Sequence, residues 1–239
     1  MKNKYTSEML DLLRRIQNMD YIAPDVIPDI ELYMDQVTTF MDEHLKSSKR
    51  FDEDKILTKT MINNYSKNDL LPPSKKKKYS KEHIILLIFI YYLKNFLSIN
   101  DIKKILDPIS ENFFDKNGET DLTEIYQEIF KMQEENIDAQ VRDVIRKLTR
   151  SNEAFKDISD EKEKNTLTDF AFISMLSFDI WVKKYIIESI IDHKLSPHTK
   201  AGRYSASSGK ASAKTGRTST GKVSAKNVSA PSKNTEPQK

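Results

Sequence analysis

The sequence predicts an all-α, mainly helical chain that ends in a disordered tail. Three observations carry this. Apolar residues recur at three- and four-residue spacing along most of the first 195 residues, the signature of helices with one buried face. Ser, Thr or Asp stands directly before several of these segments, where a helix N-terminus needs a side-chain acceptor. From residue 197 onward the composition shifts to Ser, Thr, Ala, Gly and Lys with almost no large apolar side chain. Such a segment cannot offset the conformational entropy lost on ordering.

Residues 8–17 read as a short amphipathic helix, followed by Pro24 and Pro28. Beyond Pro28, Ile30, Tyr33, Met34, Val37, Phe40, Met41 and Leu45 fall on one helical face, which predicts a helix over 29–46. Residues 47–54 are charged and loop-like. Thr58 is the expected N-cap of a short helix to about Asn68 that turns Met61, Ile62 and Tyr65 inward. Pro72-Pro73 stops it, because proline lacks the backbone donor and restricts the residue before it. Four lysines, Lys75, Lys76, Lys77 and Lys78, lead to Tyr79. Ser80 caps a helix over 81–96 that is apolar on nearly every side and therefore central. Ser98 and Asp101 form a capping-box pattern for a helix from Ile99 to Leu106, ended by Pro108.

Asp121 and Glu124 give a further cap pattern, and helical spacing continues from Leu122 to about Arg150. The polar stretch 151–165 separates it from a strongly apolar helix over 167–195 that contains Phe170, Phe172, Phe178, Trp181 and Tyr185. That helix must pack on the preceding helix, on the first domain or on a second copy of itself. Trp181 and its neighbours read as core residues. The chain divides into an N-terminal helix and linker at 1–27, a first helical domain at 28–110, for which the charge pattern below predicts a DNA-binding winged helix-turn-helix, a helical region at 111–196 expected to dimerise, and a disordered basic tail at 197–239.

Composition excludes several functions. Without cysteine there is no disulfide, zinc–thiolate site or cysteine nucleophile. Only Gly118 of the five glycines precedes residue 202, and no phosphate-cradling glycine motif occurs. The longest apolar run, Ile84 to Leu93, is far shorter than the ~20 residues of a membrane span. No secretory signal is recognisable, and a cytoplasmic location is expected. His44, His83, His193 and His198 are scattered without metal-ligand spacing, so solvent-facing or capping roles are expected. No nucleophile-and-base arrangement stands out, so neither enzyme activity nor a cofactor is expected.

The net charge of +3 conceals an asymmetry. The first 199 residues hold 30 Lys and Arg against 35 Asp and Glu, whereas the last 40 hold nine against one. Any basic surface on the body must therefore be local, and residues 75–78 are the obvious place. The short helix after Thr58 leaves Lys59, Thr60, Asn63, Asn64 and Lys67 exposed once its apolar residues are buried. Asparagine can pair two hydrogen bonds with adenine, and lysine can reach guanine or phosphate. A β-turn between Pro73 and Tyr79 carries Lys75 to Lys78 to the backbone beside the groove, as a wing does. The pattern is a winged helix-turn-helix.

Thr58 to Leu106 resembles the DNA-binding domain of MerR-type regulators. Asn64-Tyr65 stands for that family's tyrosine pair, Leu70-Leu71-Pro72-Pro73 for its turn, Tyr79 for the tyrosine after the wing and residues 97–102 (LSINDI) for the start of its last helix. The sequence departs from the pattern at Asn63, where an arginine is usual, at Leu70 for the turn glycine, and in wing lysines for arginines. Residues 24–150 resemble the bacterial "domain of unknown function 1836" family more closely, through LYMDQV at 32–37, LTKTMINNY at 57–65 and PPSKKKKYS at 72–80. That resemblance implies a bacterial cytoplasmic protein with a MerR-like fold. The expected function is a transcriptional regulator bound to double-stranded DNA as a homodimer, with no membrane partner and an effector the sequence does not name. The alternatives are a non-enzymatic helical protein-interaction module and a nonspecific nucleic-acid binder that works through its tail.

Overall fold

The computed structural model describes residues 22–195 apart from 117 and 119, together with Asp11, Leu12 and Arg14. The predicted disordered tail and most of the helix expected at 8–17 lie outside these residues; Asp11, Leu12 and Arg14 are helical. The described chain is mainly helical, with six α-helices between residues 22 and 195 and one small antiparallel sheet.

The first strand, β1 (Leu32–Tyr33), runs straight into α1 (Met34–Leu45). The helix expected over 29–46 therefore starts later. Val37, Phe40, Met41 and Leu45 are buried as the spacing required, but Ile30 is 68% exposed and Tyr33 54%. The Tyr33 amide donates to Gln36 Oε1 at 2.9 Å, which satisfies an N-terminal donor and fixes the start. Leu32 and Tyr33 are held instead by β2 (Lys78–Tyr79), with Leu32 opposite Tyr79 and Tyr33 opposite Lys78.

Helix α2 (Lys59–Lys67) begins as predicted: Thr58 Oγ1 accepts from the Met61 amide at 3.2 Å, and Ile62 and Tyr65 are buried. It ends on Asp69, whose φ of 53° is left-handed, and the Leu70 amide donates back to the Tyr65 carbonyl at 2.9 Å. Leu70 is the residue expected in the place of a turn glycine. The left-handed residue is Asp69, and Leu70 is buried.

Helix α3 (Lys81–Leu93) is central, with eight buried residues from His83 to Tyr91. It stops three residues short of the expected end. Helix α4 (Ile99–Phe113) starts on Ser98, whose Oγ accepts from the Asp101 amide at 3.2 Å. Pro108 does not end it. Proline removes one backbone donor, but Ile102 and Leu106 are buried before it and Ile109 and Phe113 pack on the same core beyond it. Two turns of burial outweigh one lost hydrogen bond.

Helix α5 (Leu122–Ala154) and α6 (Glu161–Ile190) form a hairpin. Asp121 caps α5 in the expected box with Glu124. The polar stretch 151–165 is mostly helix; the connection is only residues 155–160, and Asp160 Oδ1 caps α6 through the Glu163 amide at 2.7 Å. A π-helical turn, Ile191–Leu195, completes the described chain. The main core runs from Ile22 to Leu106 and continues through Leu122, Tyr126 and Ile191, so the base of the hairpin shares it. Tyr126 lies 5% exposed and donates its hydroxyl to the Ile22 carbonyl.

Candidate nucleic-acid interface

The lysine run forms a tight hairpin turn. Lys75 bridges Lys78, whose amide donates to the Lys75 carbonyl at 2.9 Å. Between them Lys76 and Lys77 have φ values of 50° and 64°. Positive φ at both central positions is the type I′ arrangement, whose twist suits a β-hairpin and which normally takes Asn-Gly. Two lysines there are strained, since a Cβ crowds the backbone in the left-handed region. The turn sets both side chains outward at its tip, and both residues are exposed.

The base of the turn is tied to the body on two sides. Lys75 Nζ donates to Asp115 Oδ2 at 2.6 Å, which raises the ammonium pKa and lowers that of the carboxylate. The Asp115 amide in turn donates to Glu82 Oε1 at 2.9 Å. On the other side Lys78 Nζ lies 3.9 Å from Glu31, and the neighbouring Lys81 pairs with Asp29 at 2.6 Å. Lys59, in the first turn of α2, pairs with Asp35. The segment 29–35 thus carries acids to the start of α2 and to β2 together, and brings the two elements to the same end of α1.

Beneath the turn sits His83. It is 3% exposed, between Tyr79 and Phe114, with ring centroids at 5.5 and 4.7 Å and both rings edge-on. Its Nδ1 accepts from the Ser80 amide at 3.0 Å, so this histidine caps α3. The capping role expected for the histidines holds here, but the residue is buried and not solvent-facing. An accepting Nδ1 leaves the proton on Nε2. That Nε2 is buried without a hydrogen-bond partner among the described residues. Burial pushes the imidazole pKa below its ordinary value.

The sequence-derived residues divide into two sets. Thr60, Asn63, Asn64 and Lys67 are exposed on α2, and Lys76 and Lys77 are exposed on the turn. Among the described residues Lys67, Lys76 and Lys77 make no ion pair. Lys59, Lys75 and Lys78 each already hold a carboxylate. Sequence reasoning missed these counter-charges. Glu31 and Asp35 flank β1 in the string DIELYMD, but an alternating acid pattern reveals its partners only once the β1–β2 register is known.

A second surface lies on the hairpin. Helix α6 turns Thr168 and Phe172 inward, and its Asp179 pairs with Lys147 of α5 at 2.5 Å. Away from that seam Phe170, Ile173, Phe178, Ile180, Trp181 and Tyr185 are 60–71% exposed. Phe178, Trp181 and Tyr185 stack as a ladder, with centroid separations of 5.6 and 6.0 Å. Trp181 is not the core residue the sequence suggested. Each such side chain offers roughly 100–140 Å² in this state, so the face leaves on the order of 700 Å² of apolar surface in water. Monomeric proteins rarely expose more than ~300–600 Å² in one patch.

Among the described residues no group of three or more His, Asp or Glu could hold a metal ion, and no helix is long and apolar enough to cross a membrane. No curated protein and no solved structure matches the chain. Residues 22–129, from the start of the core to the first turns of α5, match the model of the family described as Domain of unknown function (DUF1836).

Proposed function

We propose that the protein is a DNA-binding transcriptional regulator whose α2 and 75–78 turn form a winged helix-turn-helix of MerR-like type. The observation that carries the reading is the strained lysine turn. Two lysines occupy positions where Asn-Gly would be more stable, and backbone strain held against the fold's own interest marks a functional feature. A turn that projects unpaired cations next to a short, polar, well-capped helix suits phosphate contact beside a groove. Asn63 and Asn64 supply the base-reading groups on α2, with Lys67, Lys76 and Lys77 as the phosphate contacts.

Lys59, Lys75 and Lys78 contribute less to affinity than their charge suggests. A lysine that exchanges a protein carboxylate for a DNA phosphate strands the carboxylate, which then takes up a counterion, so little net ion release results. They position the interface, and the three unpaired lysines give a salt slope of about −2.7 for each chain on DNA.

The apolar face of α6 supports the dimer half of the reading. About 700 Å² approaches the ~800 Å² that each partner buries in a stable complex. A second copy docked on that face gives a two-fold assembly and an inverted-repeat site. The same face favours one competing reading, a helical module whose partner is another protein.

Fluorescence-anisotropy titration against genomic fragments separates these. The DNA reading predicts saturable binding that weakens with salt and survives truncation at Ser196. No binding to any fragment leaves the interaction-module reading, and binding lost entirely with the tail leaves the nonspecific one.

A further inference from the structure

A cavity of about 330 Å³ lies between the loop that leads into α2 and the end of α3. Its polar lining includes Ser48, Arg50, Lys55, Tyr91, Lys94 and Asn95. Cations outnumber acids on this wall, with Lys49, Arg50, Lys55 and Lys94 against Asp54. Arg50, Lys55 and Lys94 make no ion pair among the described residues. Lys49 is already taken by Asp42 at 2.7 Å. The acid on the cavity wall is Asp54, whose carboxylate accepts from the Phe51 amide at 3.0 Å.

Lys94 is the centre of the arrangement. Its Nζ donates to the Ile56 carbonyl at 2.7 Å and sits 4.8 Å from the centroid of the Tyr91 ring. An ammonium carries three donors, and neither contact supplies an anion. Burial pushes its pKa down. The hydroxyls do not fill that role. Ser48 donates to the Leu45 carbonyl at 2.6 Å, so Tyr91 must donate to Ser48. Asn95 uses one amide proton on the Tyr91 carbonyl at 3.1 Å, and among the described residues the other makes no hydrogen bond.

We propose that this cavity binds the oxyanion of a small metabolite, held by Lys94 and Lys55 as point charges and by Arg50 as a planar two-donor clamp. The volume lies at the small end of the range of ligand pockets, which suits one phosphate or carboxylate group on a short carbon skeleton. The position gives the ligand a consequence. Lys94 grips the Ile56 carbonyl, two residues before the Thr58 cap of α2, and Arg50 and Lys55 lie on the same loop. An anion that joins the three cations clamps the loop that delivers α2. Oxyanion binding stands independently of the DNA reading, whereas its regulatory consequence rests on it.

The test is calorimetric titration of the full chain with inorganic phosphate and with malonate, in chloride-matched ionic strength. Saturable binding of either supports the proposal, and their ratio tells a phosphate from a carboxylate ligand. Lys94→Met should weaken that binding roughly tenfold or more, the worth of a charge-assisted hydrogen bond. Arg50→Ala, an exposed change that leaves the core intact, should do the same and guards against misfolding of the first variant. Binding of neither anion, or binding unchanged in Arg50→Ala, overturns the proposal. A chain that binds the anion through these residues but no DNA overturns the DNA reading and leaves the pocket standing.

Discussion

Replacing Lys76-Lys77 by Asn-Gly should make the fold more stable and the DNA complex weaker. The magnitudes come from the turn itself. A residue with a Cβ in the left-handed region costs about 1–2 kcal/mol relative to glycine, and asparagine relieves part of that cost. With φ at 50° and 64°, the pair should gain about 1–2 kcal/mol on substitution. For a folded unit of this size that is about 2–8 °C in Tm. Urea unfolding with the slope m unchanged measures the gain directly. On DNA the same change removes two of the three unpaired cations, so the salt slope for each chain should fall by about 1.8. Equal or lower stability would refute the strained turn. A salt slope that does not move, in a variant that is stabilised, would refute the phosphate contact.

Three further outcomes follow from particular contacts. Thr58→Ala removes the acceptor for the Met61 amide and should cost about 1 kcal/mol in chemical unfolding, with a matching loss of helical signal. Replacing Trp181 and Tyr185 by lysine sets like charges on the α6 face and should convert a dimer into a monomer by light scattering, with the monomer still folded; an unchanged mass would show that this face is not the interface. His83 gives a pH dependence whose sign is fixed by its depressed pKa. The unfolded chain takes up the proton first, so stability is full above the unfolded value near 6.5 and falls as pH drops from there to the folded pKa, at up to about 1.4 kcal/mol per pH unit. His83→Gln retains an acceptor for the Ser80 amide and should flatten that part of the curve, while persistence of the slope would assign it to other groups.

What the sequence disclosed followed from local chemistry. Thr58, Ser98 and Asp121 announce their helices because a cap is made within three residues, and α3 is legible because an unbroken apolar run can only be central. What it concealed depended on distant partners. Ile30 and Tyr33 continue the helical spacing of α1, and only the pairing of Leu32 with Tyr79 turns that segment into a strand. Pro108 reads as a stop unless the burial of Ile109 and Phe113 is known. Residues 151–165 read as a linker because they are polar, but polarity there reports exposure on two long helices.

The candidate interface shows the same division. The lysine cluster and the polar face of α2 were visible as residue types. Their neutralisation by Glu31, Asp35 and Asp115 was not, since it needs the sheet register and the corner after α4. Nor was the cavity at Lys94, whose cations come from a loop and a helix end some 40 residues apart.

Sequence-specific DNA binding by α2 is tested most directly by sequencing the genomic fragments that the full chain selects, in parallel with Asn63→Ala. One enriched inverted-repeat motif is expected for the natural chain, and for the variant a change of preference confined to particular positions of that motif. Fragments recovered without any shared motif, or an identical motif from both proteins, would contradict sequence-specific binding by α2.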